Sequence, residues 1–282
     1  MTDEITHLLE SGYRLHQAGY KDLAEKKYLA VLERDRRNIH ALNLLGMLCV
    51  NDFRPDEAVF FISKALKQQP KNPESHANIA LAYKDQGNHQ KALEHFRQSI
   101  RLDARVPVVH MNLGNVLREL GRPKKAVEAY ERALKLHPDF AECWSNLAAA
   151  LNESEQPGRA HQAADRALQL VPDLAQAHNN KGDILLAEAR YDEALASYRR
   201  ATEINPKYAA ALINMARVQR DMDDPGVALE TLEKVLELEP KNPEALHVMG
   251  VLQEQRGKPE DAAHAFKAAI DSAPGMAIAH YY

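Results

Sequence analysis

Thirteen histidines, two cysteines and forty acidic side chains are the groups of this 282-residue chain that could ligate a metal, attack a carbon or move a proton. Their spacing argues against all three. His76, His110, His178 and His280 stand at multiples of 34 residues. A zinc ion needs its ligands within about 2 to 2.3 Å, whereas side chains that recur once per structural unit are held a unit apart. Packing or hydrogen bonding between units accounts for them better. Cys49 and Cys143 are too few for a disulfide framework or a cysteine zinc site, and both lie in helical patterns where a thiol packs as a small apolar group. The acids Asp223 and Asp224 precede Pro225 in a turn, where they cap a helix or face water. No phosphate-binding loop, nucleophile elbow or H-E-x-x-H helix is present. No catalytic residue, metal site or cofactor is expected.

The same interval carries one pattern that does call for a use. Asn78, Asn112, Asn146, Asn180 and Asn214 follow one another at 34-residue steps. Asparagine is a mediocre helix former because its amide competes for backbone hydrogen bonds. Placed on successive helices about 10 Å apart, each amide would offer a donor and an acceptor to an extended peptide that advances about 3.3 to 3.6 Å per residue. One rung then matches about three peptide residues. A second row three residues further on holds Asn115, Asp183 and Arg217, interrupted by Leu81 and Ala149. Arg217 and Arg220 lie one turn apart and could meet an acidic partner or simply pair with Asp221. Hydrogen bonds from the amides to a neighbouring helix, stabilising the stack rather than a ligand, remain the competing use.

The elements that would position these residues are marked by proline. All fourteen prolines fall on three positions of one 34-residue ruler: Pro70, Pro138, Pro172, Pro206, Pro240 and Pro274; Pro55, Pro123, Pro157, Pro225 and Pro259; and Pro73, Pro107 and Pro243. Proline is tolerated in the first turn of a helix and stops one from continuing. The ruler predicts repeats over residues 5–38, 39–72, 73–106, 107–140, 141–174, 175–208, 209–242 and 243–276, with 277–282 opening a ninth. Within each, one helix is expected over about positions 1 to 14 and another over 18 to 31. Gly19, Gly87, Gly121 and Gly257 occupy position 15, the turn between them. Gly12, Gly46, Gly114, Gly182 and Gly250 occupy position 8 in mid-helix, with Ala80, Ala148 and Ala216 in the remaining repeats, which implies a close helix approach there. Position 20 is alanine in every repeat, and position 24 is large except at Ala164. The asparagines take position 6, broken by Glu10, Leu44 and Val248 in the first, second and eighth repeats, so binding is expected over repeats three to seven.

Leu-Gly at positions 7 and 8, alanine at 20, an aromatic at 24, alanine at 27 and proline at 32, clearest from His110 to Pro138, resemble the tetratricopeptide repeat. The resemblance implies an all-α fold, a right-handed superhelical α-solenoid of about eight helix-turn-helix repeats forming one domain over 1–282. It also implies a protein-interaction scaffold whose first helices line a concave groove. The asparagine row is similar to that of the tetratricopeptide arm of O-linked N-acetylglucosamine transferases, and armadillo proteins use a comparable device. The family's clamp for a terminal carboxylate is not matched, because Met111, Gln176 and Asn180 stand where cations are needed.

The bulk numbers agree with a binding module. Hydrophobic residues at 45% and charged residues at 27% describe a folded chain with a continuous core. A net charge of -4 with a pI near 6.4 gives no attraction for nucleic acid or anionic lipid. There is no signal-peptide pattern and no apolar run long enough to span a bilayer, so a cytoplasmic protein is expected. Its partner is expected to be a protein or peptide in extended conformation. The rival function is the substrate-recruiting arm of a larger transferase, of glycosyltransferase or sulfotransferase type. That reading rests on the last residues, AIAHYY, which open a ninth repeat, and on Phe266, Ala269 and Ile270, which are expected to be partly uncovered. A covalent C-terminal domain or an end-to-end homodimer would cover them.

Overall fold

The structure, a computed structural model, describes residues 2–273. Their sixteen helices follow one another in antiparallel pairs, with no strand among the described residues. Two compact units divide between Pro138 and Asp139. The first holds α1 (Thr2–Gln17), α2 (Lys21–Arg34), α3 (Ile39–Asn51), α4 (Pro55–Gln68), α5 (Pro73–Asp85), α6 (His89–Leu102), α7 (Pro107–Glu119) and α8 (Pro123–Leu136). The second holds α9 (Ala141–Glu153), α10 (Pro157–Leu170), α11 (Ala175–Ala187), α12 (Tyr191–Ile204), α13 (Ala209–Asp221), α14 (Pro225–Leu238), α15 (Pro243–Gln255) and α16 (Pro259–Ser272). Each unit is thus four helix pairs. Pro274, the expected ninth repeat and His280 lie outside the described residues.

The punctuation works as its chemistry requires. Proline opens α4, α5, α7, α8, α10, α14, α15 and α16 at the first turn, where its missing N–H has no helical partner to lose. Asn38, Asn72, Asn88 and Asn242 cap α3, α5, α6 and α15 by accepting from the backbone N–H three residues on. Asp224 caps α14 in the same way, accepting from Val227 N–H, while Asp223 beside it forms the turn with φ 62°. From α3 onward the helices run over positions 1 to 13 and 17 to 30, ending about a residue earlier than the sequence suggests. The first helix is stopped by position 15, which is left-handed in all eight repeats: Gly19, Gly87, Gly121 and Gly257, but also Phe53, Glu155, Ala189 and Asp223.

Burial explains the small residues. A Cβ added at position 8 would sit 2.5 to 2.6 Å from the ring of Tyr28, Tyr130, Tyr198 or Phe266 for Gly12, Gly114, Gly182 and Gly250, and inside the side chain of Ile62 for Gly46. Position 24 of the second helix therefore lies directly across position 8 of the first. Tyr28, Tyr130, Tyr198, Phe96 and Ile62 are fully buried there, and so is every position-20 alanine except Ala262, at 3% exposure. Phe266 and Ala269, expected to be partly uncovered, are buried, and Phe266 packs over Gly250 and against His247 of its own repeat. Ile270 stays partly exposed.

Candidate functional site

The position-4 histidines are ties between repeats. The Nε2 of His76, His110 and His178 lies 2.9 to 3.0 Å from the backbone carbonyl of Pro70, Ala104 and Pro172, six residues back at position 32 of the preceding repeat. Each ring thus anchors a first helix to the loop before it. In the third repeat Nε2 donates to Pro70, so Nδ1 of His76 accepts, and the Nδ1–H of His95 on α6 donates to it at 2.9 Å. His95 stacks on Tyr83, and burial first, then His76, lowers its pKa from the ordinary 6.5. Both cysteines are buried, and burial raises the Cys49 thiol to about 11 and the Cys143 thiol to about 12. Among the described residues no three His, Cys, Asp or Glu side chains converge.

The second polar row has an origin that the sequence conceals. With glycine at position 8, a tyrosine at position 24 runs past the first helix and reaches the side chain at position 9. Tyr130 donates its hydroxyl to Asn115 Oδ1 at 2.7 Å, and Tyr198 donates to Asp183 Oδ1 at 2.7 Å. Asn115 and Asp183 are therefore partners of buried tyrosines before they are anything else. In the first repeat position 9 is Tyr13, and the Tyr28 hydroxyl is left without a partner among the described residues, its pKa raised to about 12 by burial.

The position-6 asparagines are less open than their spacing suggests. Asn78, Asn146 and Asn180 are 6 to 8% exposed, whereas Asn112 and Asn214 are half-buried. In the first unit, α3 and α5 are joined by Ser75 Oγ donating to Asn43 Oδ1 at 2.9 Å, and Asn78 Nδ2 is buried without a partner among the described residues.

In the second unit the first helices are linked directly to one another. Asn180 on α11 donates Nδ2 to the backbone carbonyl and hydroxyl of Ser145 on α9, both at 2.9 Å, while Gln176 donates to Asn146 Oδ1 at 2.7 Å. On α13, Asn214 Nδ2 donates to Asn179 Oδ1 at 3.2 Å and to Asp183 Oδ1 at 2.9 Å. Arg217 donates to Asn214 Oδ1 at 3.3 Å and closes on Glu244 of α15 at 2.6 Å. Arg220 pairs with Asp221 at 2.7 Å. The expected binding residues Asn146, Asn180, Asn214, Asp183 and Arg217 thus all lie in hydrogen-bonded links between neighbouring first helices, in three groups: Gln176 with Asn146, Asn180 with Ser145, and Asn179, Asp183, Asn214, Arg217 and Glu244 together. Ser145, Asn179, Gln176 and Glu244 were not among the expected residues. Their only sequence signal was location at positions 2 and 5 of the first helices.

The comparisons with known proteins agree with this architecture. Profiles described as tetratricopeptide repeat match residues 39–72, 72–139, 117–184, 173–241 and 213–277, which together run from 39 to 277. A solved tetratricopeptide repeat protein from Parabacteroides merdae ATCC 43184 is 17% identical with a TM-score of 0.67, covering 99% of this chain and 96% of that one. The APC/C hetero-tetramer Cut9–Hcn1 gives 14% identity and a TM-score of 0.71 over 91% of this chain. This chain spans about half, 51%, of that protein's length. At such identities the likeness concerns the fold.

Proposed function

Because the chain belongs to the tetratricopeptide-repeat family, we propose that it is a non-catalytic scaffold that holds an extended segment of a partner protein on the first helices of its repeats. Tetratricopeptide repeats generally mediate contacts between proteins, and the Cut9–Hcn1 structure is of an assembly of proteins. The single observation that carries the finer reading is the orientation of Asn180. Its amide nitrogen is held by Ser145, and its carbonyl oxygen has no partner among the described residues. An amide fixed at its nitrogen, with its oxygen left open to solvent, is a pre-set acceptor for a backbone N–H, at little entropic cost on binding. The neighbour bonds seen here do not compete with peptide binding; they orient the amide for it. Asn112 and Asn78 supply equivalent positions in the first unit, and Asn115, Asp183 and Arg217 support rather than contact the bound strand.

The test is fluorescence anisotropy of extended dodecapeptides with the full chain, against Asn146→Ala with Asn180→Ala. Lost binding with retained helical circular dichroism supports the proposal. Unchanged binding overturns it.

A further inference from the structure

We infer that the first-helix face of the second unit, α9, α11, α13 and α15, selects a basic segment, one whose lysine or arginine side chains accompany its backbone N–H groups. This inference rests on the peptide-binding reading above and names the chemistry of the peptide.

Hydrogen-bond polarity carries it. Five side-chain donors at positions 2, 5, 6 and 9 of this face are engaged: Asn180 to Ser145, Gln176 to Asn146, Asn179 to Asp183 at 3.2 Å, Asn214 to Asn179 and Asp183, and Arg217 to Asn214 and Glu244. The acceptors left open on this face are the Asn180 carbonyl oxygen, on a residue 7% exposed, and exposed carboxylates. An acceptor-lined surface favours a ligand rich in donors, and an extended backbone alone supplies only part of them.

Charge points the same way independently. Glu142, Glu153, Asp183, Asp221, Glu244 and Glu254 stand at positions 2, 9, 12 and 13 of these four helices. The cations on these four helices are Lys181, Arg217 and Arg220, and each is occupied, by Asp165 at 2.8 Å, Glu244 at 2.6 Å and Asp221 at 2.7 Å. His247 adds no compensating charge at neutral pH, since burial and the nearby Arg217 and Arg220 lower its pKa. Glu142 and Glu254 are exposed towards solvent at opposite ends of the face. Such a net negative surface accelerates and favours encounter with a cationic segment, and it repels an acidic one.

Three labelled dodecapeptides on a Gly-Ser spine, carrying Arg, Gln or Glu at every third position, decide the matter with the full chain. The Arg peptide is expected to bind about tenfold or more tightly than the Gln peptide, and the Glu peptide most weakly. The Arg affinity should fall several-fold between about 50 and 300 mM NaCl as screening shortens the field. Glu142→Gln with Glu254→Gln should narrow the Arg-over-Gln preference several-fold, whereas Glu230→Gln with Glu237→Gln on the second helix α14 should not. Equal affinities for the three peptides, or a preference that survives Glu142→Gln with Glu254→Gln unchanged, would overturn the basic-segment inference while leaving peptide binding intact. Failure of all three to bind would overturn both.

Discussion

Glycine at position 8 is the plainest case of one atom deciding a contact. Gly182→Ala places a Cβ 2.5 Å from the Tyr198 ring. Overpacking costs about 1 to 3 kcal/mol, more than the helix propensity of about 1 kcal/mol that alanine returns. A lowered urea midpoint is the expected result. At position 15 the sign reverses: Glu155 and Ala189 are left-handed at φ 58° and 57°. Glu155→Gly and Ala189→Gly should each raise stability by about 1 kcal/mol, since glycine escapes the steric cost of that conformation. Chemical denaturation of the two single variants checks this, and a loss in both would sink it. The histidines give a pH dependence. His16, His95 and His247 all have pKa values lowered from the ordinary 6.5, chiefly by burial. A depressed folded pKa means the unfolded chain binds the proton more readily. Their contribution is therefore full above about pH 6.5 and is lost as pH falls through their folded values. The urea midpoint should drop between pH 7.5 and 5, and His95→Gln should shrink that drop.

Between helices, the polar links among α9, α11 and α13 tie stability to the proposed binding. Removing Asn180 takes the inter-helix donor from the Ser145 hydroxyl and carbonyl, the carbonyl keeping its helical N–H, at a cost of about 1 kcal/mol where those groups are buried. Asn180→Ala should therefore lower the melting temperature as well as the peptide affinity. Ser145→Ala removes the hydroxyl alone and keeps the backbone acceptor, so it should cost less. Equal melting temperatures for Asn180→Ala and the parent chain would show that the amide is not held as described. The pairing of Tyr198 with Asp183 belongs here too. Burial, then the carboxylate beside it, pushes the Tyr198 hydroxyl well above its usual range, so it stays a donor at any physiological pH.

Across the whole molecule, repeat arrays have stability that is a sum over units and their nearest neighbours, so opening need not be all-or-none. One cysteine lies in each compact unit, Cys49 in the first and Cys143 in the second, both buried with thiols raised to about 11 and 12. In native buffer each should react with a thiol reagent on the order of a hundredfold more slowly than in the unfolded chain. Single-cysteine variants labelled across a urea series would then report the opening of each unit separately. Rapid native labelling of either thiol would contradict the burial. No described helix is long and apolar enough to cross a membrane.

The repeat length, helix pairing and glycine–aromatic contact were legible in the residues, because proline, glycine and alanine act through backbone and steric rules that hold wherever the chain places them. The left-handed turns at Phe53, Glu155, Ala189 and Asp223 were not, since only the phase shared with Gly19, Gly87, Gly121 and Gly257 marks them. The asparagine row was visible as spacing, but spacing along a helix sets a direction and says nothing of what the next helix presents to it. Only tertiary structure decided that Asn180 turns its nitrogen to Ser145, that Tyr130 and Tyr198 claim Asn115 and Asp183, and that the arginines close on Glu244 and Asp221. Hydrogen-bond partners are chosen between helices by distance and burial, and those quantities exist only once the helices have packed.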